Sequence, residues 1–168
     1  WRHMRTTSPN AGHKALARLE AAGWVHGVIT QNVDLLHQEA GSTNVIDLHG
    51  HYNAVKCLDC GHRMTRARLP RDLEALNPGF AQRVNVADVE IAPDADAVIE
   101  ATAGFRVAPC PVCGGMLKPD IVYFGETVPK ERVARAYRMV DDADVLVVIG
   151  SSLAVMSGLR FVLHAAKN

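Results

Sequence analysis

Apolar residues over the first fifty positions recur with two different periods. A helical pattern begins at Ser8, with Ser8-Pro9 as cap and first position, Leu16, Leu19 and Ala22 at helical spacing, and Gly23 as the stop. Trp24 to Thr30 reads as a strand centred on the β-branched pair Val28-Ile29. Asp34 to Ala40 reads as a short helix stopped by Gly41, and Val45 to Leu48 as a second short strand. Helices alternating with apolar strands are the pattern of an α/β domain with a parallel sheet.

That pattern lapses between His51 and about Pro119, where no sustained periodicity appears. The stretch holds all four cysteines, a basic run (Arg63, Arg66, Arg68, Arg71) and an alanine- and aspartate-rich piece from Ala87 to Ala103. It reads as a small, loop-rich module inserted into the α/β domain, giving residues 1–52 and 118–168 to one domain and 53–117 to the other. The arginine run lacks interleaved aromatics, which favours a solvated face over a nucleic-acid patch. Beyond it the α/β pattern returns: Ile121 to Phe124 as a strand, Pro129 to Val140 as an amphipathic helix, Asp144 to Gly150 as a strand and Gly158 to Ala166 as a helix. The run from Asp144 to Gly150 is apolar without alternation, which predicts a strand buried on both faces at the centre of a parallel sheet.

Composition narrows the function classes. The 168 residues are 48% hydrophobic and 21% charged, which excludes collagen-like, coiled-coil and disordered chains. Lysine plus arginine (18) balances aspartate plus glutamate (18), so no global field recruits nucleic acid or an anionic membrane. No apolar run approaches the roughly 20 residues of a spanning helix, and nothing at the start reads as a signal peptide, so a soluble, intracellular protein is expected. The sequence opens on Trp1 and closes on Lys167-Asn168 directly after an apolar helical pattern, which reads as a piece of a longer chain.

Four groups of residues could carry chemistry. Cys57-Leu58-Asp59-Cys60 and Cys110-Pro111-Val112-Cys113 are C-x-x-C pairs, each followed by glycine (Gly61, Gly114). That spacing lets both thiolates of a knuckle reach one ion, and four thiolates fill a tetrahedral zinc shell with no open position, which points to a structural ion. Disulfides or unrelated thiols are the alternative, but nothing indicates an oxidising compartment. Gly150-Ser151-Ser152 sits where a strand hands over to a loop and helix, the place where α/β sheets bind nucleotides, although a bland turn has the same composition. No G-x-G-x-x-G or Walker-type loop accompanies it. Thr30-Gln31-Asn32-Val33-Asp34 gathers polar side chains at the end of a predicted strand. They could hold ribose hydroxyls and an amide-bearing ring, or Asp34 could simply cap the next helix. His49 and His51 flank Gly50 at another strand end, where an imidazole can act as a general base near neutral pH if a hydroxyl lies within reach.

Taken together, these residues resemble the sirtuin family of NAD-dependent protein-lysine deacylases, some of which are ADP-ribosyltransferases. The resemblance runs in order through Pro9-Asn10, His13, Thr30 to Asp34, Leu36-His37, Ala40-Gly41-Ser42, Leu48-His49-Gly50, both cysteine pairs, Leu117 to Asp120, Phe124-Gly125-Glu126 and Gly150 to Leu153. Residues 113 to 126 and 151 to 158 look most like the class II branch, which includes the mitochondrial lipoamidase-type sirtuin and its bacterial relatives. The resemblance implies a Rossmann-like domain with an inserted small zinc-ribbon domain, truncated here at both ends, and a cleft between them where NAD meets an acylated lysine of a protein or peptide.

Carried over by motif, His49 is the general base acting through the ribose hydroxyls, and it takes precedence over His51. Asn32 and Gln31 position the nicotinamide ribose, and Asp34 holds the nicotinamide carboxamide. Gly150, Ser151 and Ser152 line the adenosine half, and Val122, Tyr123, Phe124, Gly125 and Glu126 pair with the substrate peptide as an added strand. Cys57, Cys60, Cys110 and Cys113 hold one structural zinc. The acyl oxygen attacks the ribose carbon as nicotinamide leaves, and 2′-O-acyl-ADP-ribose and free lysine result. The family's Gly-Ala-Gly-x-Ser phosphate loop, most of its mobile loop and its last strands have no match here, so the polypeptide as given is expected to bind NAD poorly. ADP-ribosyl transfer at the same site and a non-catalytic zinc-ribbon interaction module remain the alternatives. A bacterial-type cytoplasmic location is expected, with a mitochondrial one open because a leader would precede Trp1.

Overall fold

The computed structural model describes residues 7–83 and 103–167. The chain divides into two compact units, one formed from Thr6–His51 with Ile121–Asn168, the other from Tyr52–Asp120.

In the first unit, α1 spans Ala11–Ala21 and is capped by Asn10 rather than by Ser8-Pro9. The Asn10 carboxamide accepts the His13 amide at 3.1 Å while His13 Nδ1 accepts the Asn10 amide at 3.3 Å. This reciprocal box satisfies two amides that a cap at Ser8 would leave open, so the helix starts later than the sequence predicts. The expected strand from Trp24 shrinks to β1, Val28–Thr30, and Trp24 is exposed. β1 pairs in parallel with β2, Val45–Asp47, in the register Val28 to Val45 and Thr30 to Asp47. Gly27 is needed at this junction, because a Cβ there would lie 2.8 Å from both the Asn44 carbonyl oxygen and the Met139 methyl. The Glu20 carboxylate fastens α1 to the loop before β2, accepting the amides of Thr43 (2.9 Å) and Asn44 (2.7 Å). α2 is one turn, Leu36–Glu39, and Gly41 takes a positive φ after it, as its predicted stop role requires.

α5 (Lys130–Asp141) and α6 (Met156–Ala165) pack against each other, and α5 also meets β2. Ile46, Leu48, Val128, Ala136, Val140 and Phe161 form the buried core. The Phe161 ring meets Tyr137 edge-on with centroids 5.0 Å apart. Phe161→Ala removes most of this contact. It should cost about 3–5 kcal/mol in denaturant unfolding followed through tertiary fluorescence, and a loss below about 1 kcal/mol would contradict the assigned packing.

Two expectations for this unit fail. The run from Asp144 to Gly150 is not a strand, and Val145, Val147 and Ile149 are 72%, 68% and 72% exposed rather than buried on both faces. Among the described residues no strand runs beside it, and an apolar pattern forms a ladder only where a neighbour supplies the other half of its hydrogen bonds. Similarly, Ile121 to Phe124 is not a strand of its own. The strand there is Leu117–Ile121, and Tyr123 to Glu126 form a turn in which the Glu126 amide donates to the Tyr123 carbonyl at 3.0 Å. The Tyr123 amide donates to the Glu126 carboxylate, also at 3.0 Å.

The second unit is more regular than its sequence suggests. β3 (Gly50–Cys57), β4 (Arg63–Thr65) and β5 (Leu117–Ile121) form a sheet ordered β4-β3-β5, with β3 and β4 antiparallel. Tyr52, Val55 and Cys57 fall on buried positions of β3. Asp120 is buried, but Arg63 at 3.2 Å and Lys56 at 4.0 Å compensate its charge, so one member of the basic run is an ion-pair partner. A second, Arg68, pairs with Asp72 on α3, Leu69–Leu76. The short α4 covers Phe80–Arg83. Buried Asn77 ties α3 to a later segment, donating to the Arg106 carbonyl at 2.8 Å and accepting its amide at 2.6 Å. The predicted alanine- and aspartate-rich piece falls, up to residue 102, outside the described residues.

Candidate functional site

The two knuckles are built alike. Cys57 ends β3, and Gly61 donates to the Cys57 carbonyl at 3.2 Å. Gly114 donates to the Cys110 carbonyl at 2.9 Å, and an antiparallel bridge between Pro109 and Met116 closes the second turn. The four Sγ atoms lie within 4.8 Å of one another, with Cys57 to Cys113 at 3.5 Å and Cys60 to Cys110 at 3.8 Å. A tetrahedral shell with Zn–S near 2.3 Å has sulfur–sulfur edges of about 3.8 Å, so the residues present fit one zinc ion. Amides support the sulfurs: Val112 donates to Cys110 Sγ at 3.5 Å and Gly115 to Cys113 Sγ at 3.4 Å. Burial opposes ionisation of Cys110, but the amides of Cys113 and Val112 and the thiols of Cys57 and Cys60 bring it down to about 7. The Gly115 amide favours the Cys113 thiolate, yet the neighbouring thiols push that group up to about 12. Thiols this close resist joint ionisation until a cation is shared among them.

In the other unit, the ends of β1 and β2 bring together residues far apart in sequence. His49 follows Leu48, whose amide extends the ladder to the Thr30 carbonyl at 2.9 Å. The imidazole is half-buried and held at both nitrogens: Nδ1 lies 3.1 Å from the Gln31 carbonyl and Nε2 lies 2.9 Å from Ser157 Oγ. A carbonyl only accepts, so Nδ1 carries the proton and Nε2 presents a lone pair. The Gln31 side chain donates from Nε2 to Ser157 Oγ at 3.3 Å, and its Oε1 accepts the Ser151 hydroxyl at 3.2 Å. Burial lowers the His49 pKa below its ordinary 6.5; the Gln31 carbonyl works in the opposite direction, and the Arg132 charge adds to the lowering. The lowered pKa favours the neutral ring.

The other predicted site residues vary in how far they join this group. Asn32 is exposed and donates its amide to Thr30 Oγ1 at 3.1 Å. The Asp34 carboxylate accepts the Leu36 amide at 3.0 Å, but the N-cap of α2 is Leu35, so Asp34 does not take the capping position that the sequence left open. Gly150, Ser151 and Ser152 are exposed in a loop where Gly150 and Leu153 both have positive φ, and Ser151 and Ser152 cap the amides of Leu153 and Ala154. Val122 donates its amide to the His49 carbonyl at 2.8 Å. Tyr123, Phe124, Gly125 and Glu126 are exposed in the turn described above, with Phe124 at 90%. His51, the competing imidazole, keeps Nδ1 buried without a hydrogen-bond partner. The sequence does not single out Ser157, since a serine near a helix start is an ordinary cap. Only the fold brings its hydroxyl to His49.

The profile of the Sir2 family matches residues 1–157. Relatives include NAD-dependent protein deacetylase 1 of Mycobacterium avium (strain 104), 64% identical over 99% of this chain and 59% of its own length. The NAD-dependent protein deacetylase of Xanthomonas axonopodis pv. citri is 50% identical over 100% of this chain and 57% of its own. Among solved structures, a Sir2–p53 peptide–NAD+ complex matches with a TM-score of 0.73 at 31% identity, and Sir2 bound to acetylated peptide with 0.74 at 30%. Each comparison covers 98% of this chain and 57% of the other. The chain thus spans less than three fifths of the relatives it matches. Among the described residues no helix is long and apolar enough to cross a membrane.

Proposed function

The chain belongs to the Sir2 family, and on that premise we propose that it forms the central part of an NAD-dependent protein-lysine deacylase. The full-length protein would move an acyl group from lysine to ADP-ribose and release nicotinamide. The observation that carries this reading is the His49 imidazole, clamped at both nitrogens and joined through Gln31 to the Ser151 loop. NAD, when bound, supplies a ribose carbon that can exchange nicotinamide for the acyl oxygen. The chain's own residues orient and deprotonate: Gln31 and Asn32 hold the ribose, Asp34 the carboxamide, and His49 Nε2 takes the proton of a ribose hydroxyl. Gly150, Ser151 and Ser152 receive the adenosine half, and the exposed segment from Val122 to Glu126 offers backbone to an acyl-lysine peptide. On this reading the unit holding His49 binds NAD, while Tyr52–Asp120 is a zinc-binding unit whose closed thiolate shell takes no part in the chemistry. The likeness of residues 113 to 126 and 151 to 158 to the class II branch supports placement there, and the bacterial relatives support a cytoplasmic location.

The test is nicotinamide release by the full-length protein that carries this chain, assayed with NAD and a panel of acyl-lysine peptides. Release that depends on the peptide, with the acyl group recovered on ADP-ribose, is expected. Label transferred to protein would favour ADP-ribosyl transfer. No release from a folded, zinc-loaded protein across the panel would overturn the deacylase reading.

A further inference from the structure

Ser157 and Gly158 lie in the first turn of α6, and their contacts run to Gln31 and His49. Ser157 is 9% exposed. Its hydroxyl is fully committed by the groups around it. In the neutral imidazole, His49 Nδ1 must donate to the Gln31 carbonyl, which leaves Nε2 to accept, and the Ser157 hydroxyl donates to it at 2.9 Å. The oxygen of that hydroxyl accepts from Gln31 Nε2 at 3.3 Å. That bond fixes the orientation of the Gln31 amide, and it leaves Oε1 to accept the Ser151 hydroxyl at 3.2 Å. Backbone carbonyl, imidazole, hydroxyl and carboxamide thus form a closed ring that starts and ends at Gln31, with a donor facing an acceptor at each of its three bonds. Gly158 supplies a second observation. A Cβ at that position would lie 3.1 Å from both Cδ and Nε2 of Gln31, so the turn is shaped against the same amide that Ser157 binds.

We propose that Ser157, seated by Gly158, is a positioning residue that fixes the ring plane of His49 and the side chain of Gln31 for the reaction. This rests on the deacylase reading for its catalytic consequence, but not for its geometry. When a substrate hydroxyl donates to His49 Nε2, the Ser157 hydroxyl loses that acceptor and keeps the Gln31 donor, so Gln31 stays anchored while the base changes partner. A small misplacement of either side chain weakens proton transfer more than it weakens substrate binding, since orientation matters most as the reacting atoms close in.

The test compares Ser157→Ala, Ser157→Thr and Gly158→Ala in the full-length protein. Nitrogen NMR of the histidine ring would read the His49 Nε2 signal directly. That signal should move toward an unbonded acceptor nitrogen in Ser157→Ala and return in Ser157→Thr. Steady-state assays should show kcat about ten- to a hundredfold lower in Ser157→Ala with the KM for acyl peptide within about twofold, and partial rescue by Thr. Gly158→Ala should lower kcat by displacing Gln31 while the melting temperature holds. An unchanged Nε2 signal in Ser157→Ala, or a kcat equal to that of the parent, would overturn the proposal. If the parent itself releases no nicotinamide while the Nε2 signal still responds to Ser157→Ala, the deacylase reading fails and the clamp stands as a structural ring alone.

Discussion

His49→Ala should abolish peptide-dependent nicotinamide release, lowering kcat/KM by about a hundred- to ten-thousandfold, the range a positioned acid–base group supplies. Zinc content and the melting transition should stay close to those of the parent, because the imidazole is only half-buried and outside the apolar core. The pH profile gives an independent check. Burial and the Arg132 charge lower the His49 pKa from 6.5, so the neutral, competent form persists to lower pH than for an ordinary imidazole. The acid limb of kcat/KM should therefore lie below pH 6.5, with activity lost as pH falls through the lowered value. A limb above 6.5, or a mutant that keeps its rate, would remove His49 from the role of base. His51→Ala should leave the limb in place, since that ring lies outside the Gln31–Ser157 network.

The second large effect concerns the metal. Cys57→Ser, or prolonged treatment with a strong chelator, should strip one zinc per chain and unfold the Tyr52–Asp120 unit. In small zinc domains, metal binding supplies roughly 10–16 kcal/mol of apparent free energy at neutral pH. Cys57 is the most consequential ligand to remove, because it is buried at the end of β3 and its amide bonds the His62 carbonyl at 2.8 Å. Hydrogen exchange would resolve the loss. Amides of β3, β4 and the Pro109–Met116 bridge should lose protection, while those of α5 and α6 retain theirs. A chain that keeps this protection after zinc is removed would show that the unit folds on its apolar contacts alone.

Much of this was legible because short-range chemistry decides it. The spacing of Cys57, Cys60, Cys110 and Cys113 already specifies two knuckles for one ion, and the structure places their sulfurs together. Parallel β1 and β2 and helices α1, α5 and α6 follow from local periodicity and differ from expectation by only a few residues at their ends. α1 starts after Asn10 rather than at Ser8 because the reciprocal bond between Asn10 and His13 outweighs the serine–proline signal.

Other features depended on neighbours distant in the chain. The apolar run from Asp144 to Gly150 carries a strand pattern, yet a strand is a pairwise object, and among the described residues no strand pairs with it. The sheet of the Tyr52–Asp120 unit is not legible in the sequence, because two of its three strands are short and β5 lies far along the chain from β3, beside which it pairs. What the sequence determined by itself was the identity of the chemical groups and their local spacing: the thiol pairs, the polar run after β1 and the imidazole after β2. What only the tertiary structure decided was which atoms face one another. Ser157 stands 108 residues from His49, and its hydroxyl becomes the imidazole's partner only because α6 packs back onto the β1–β2 ends, a pairing that no local pattern encodes.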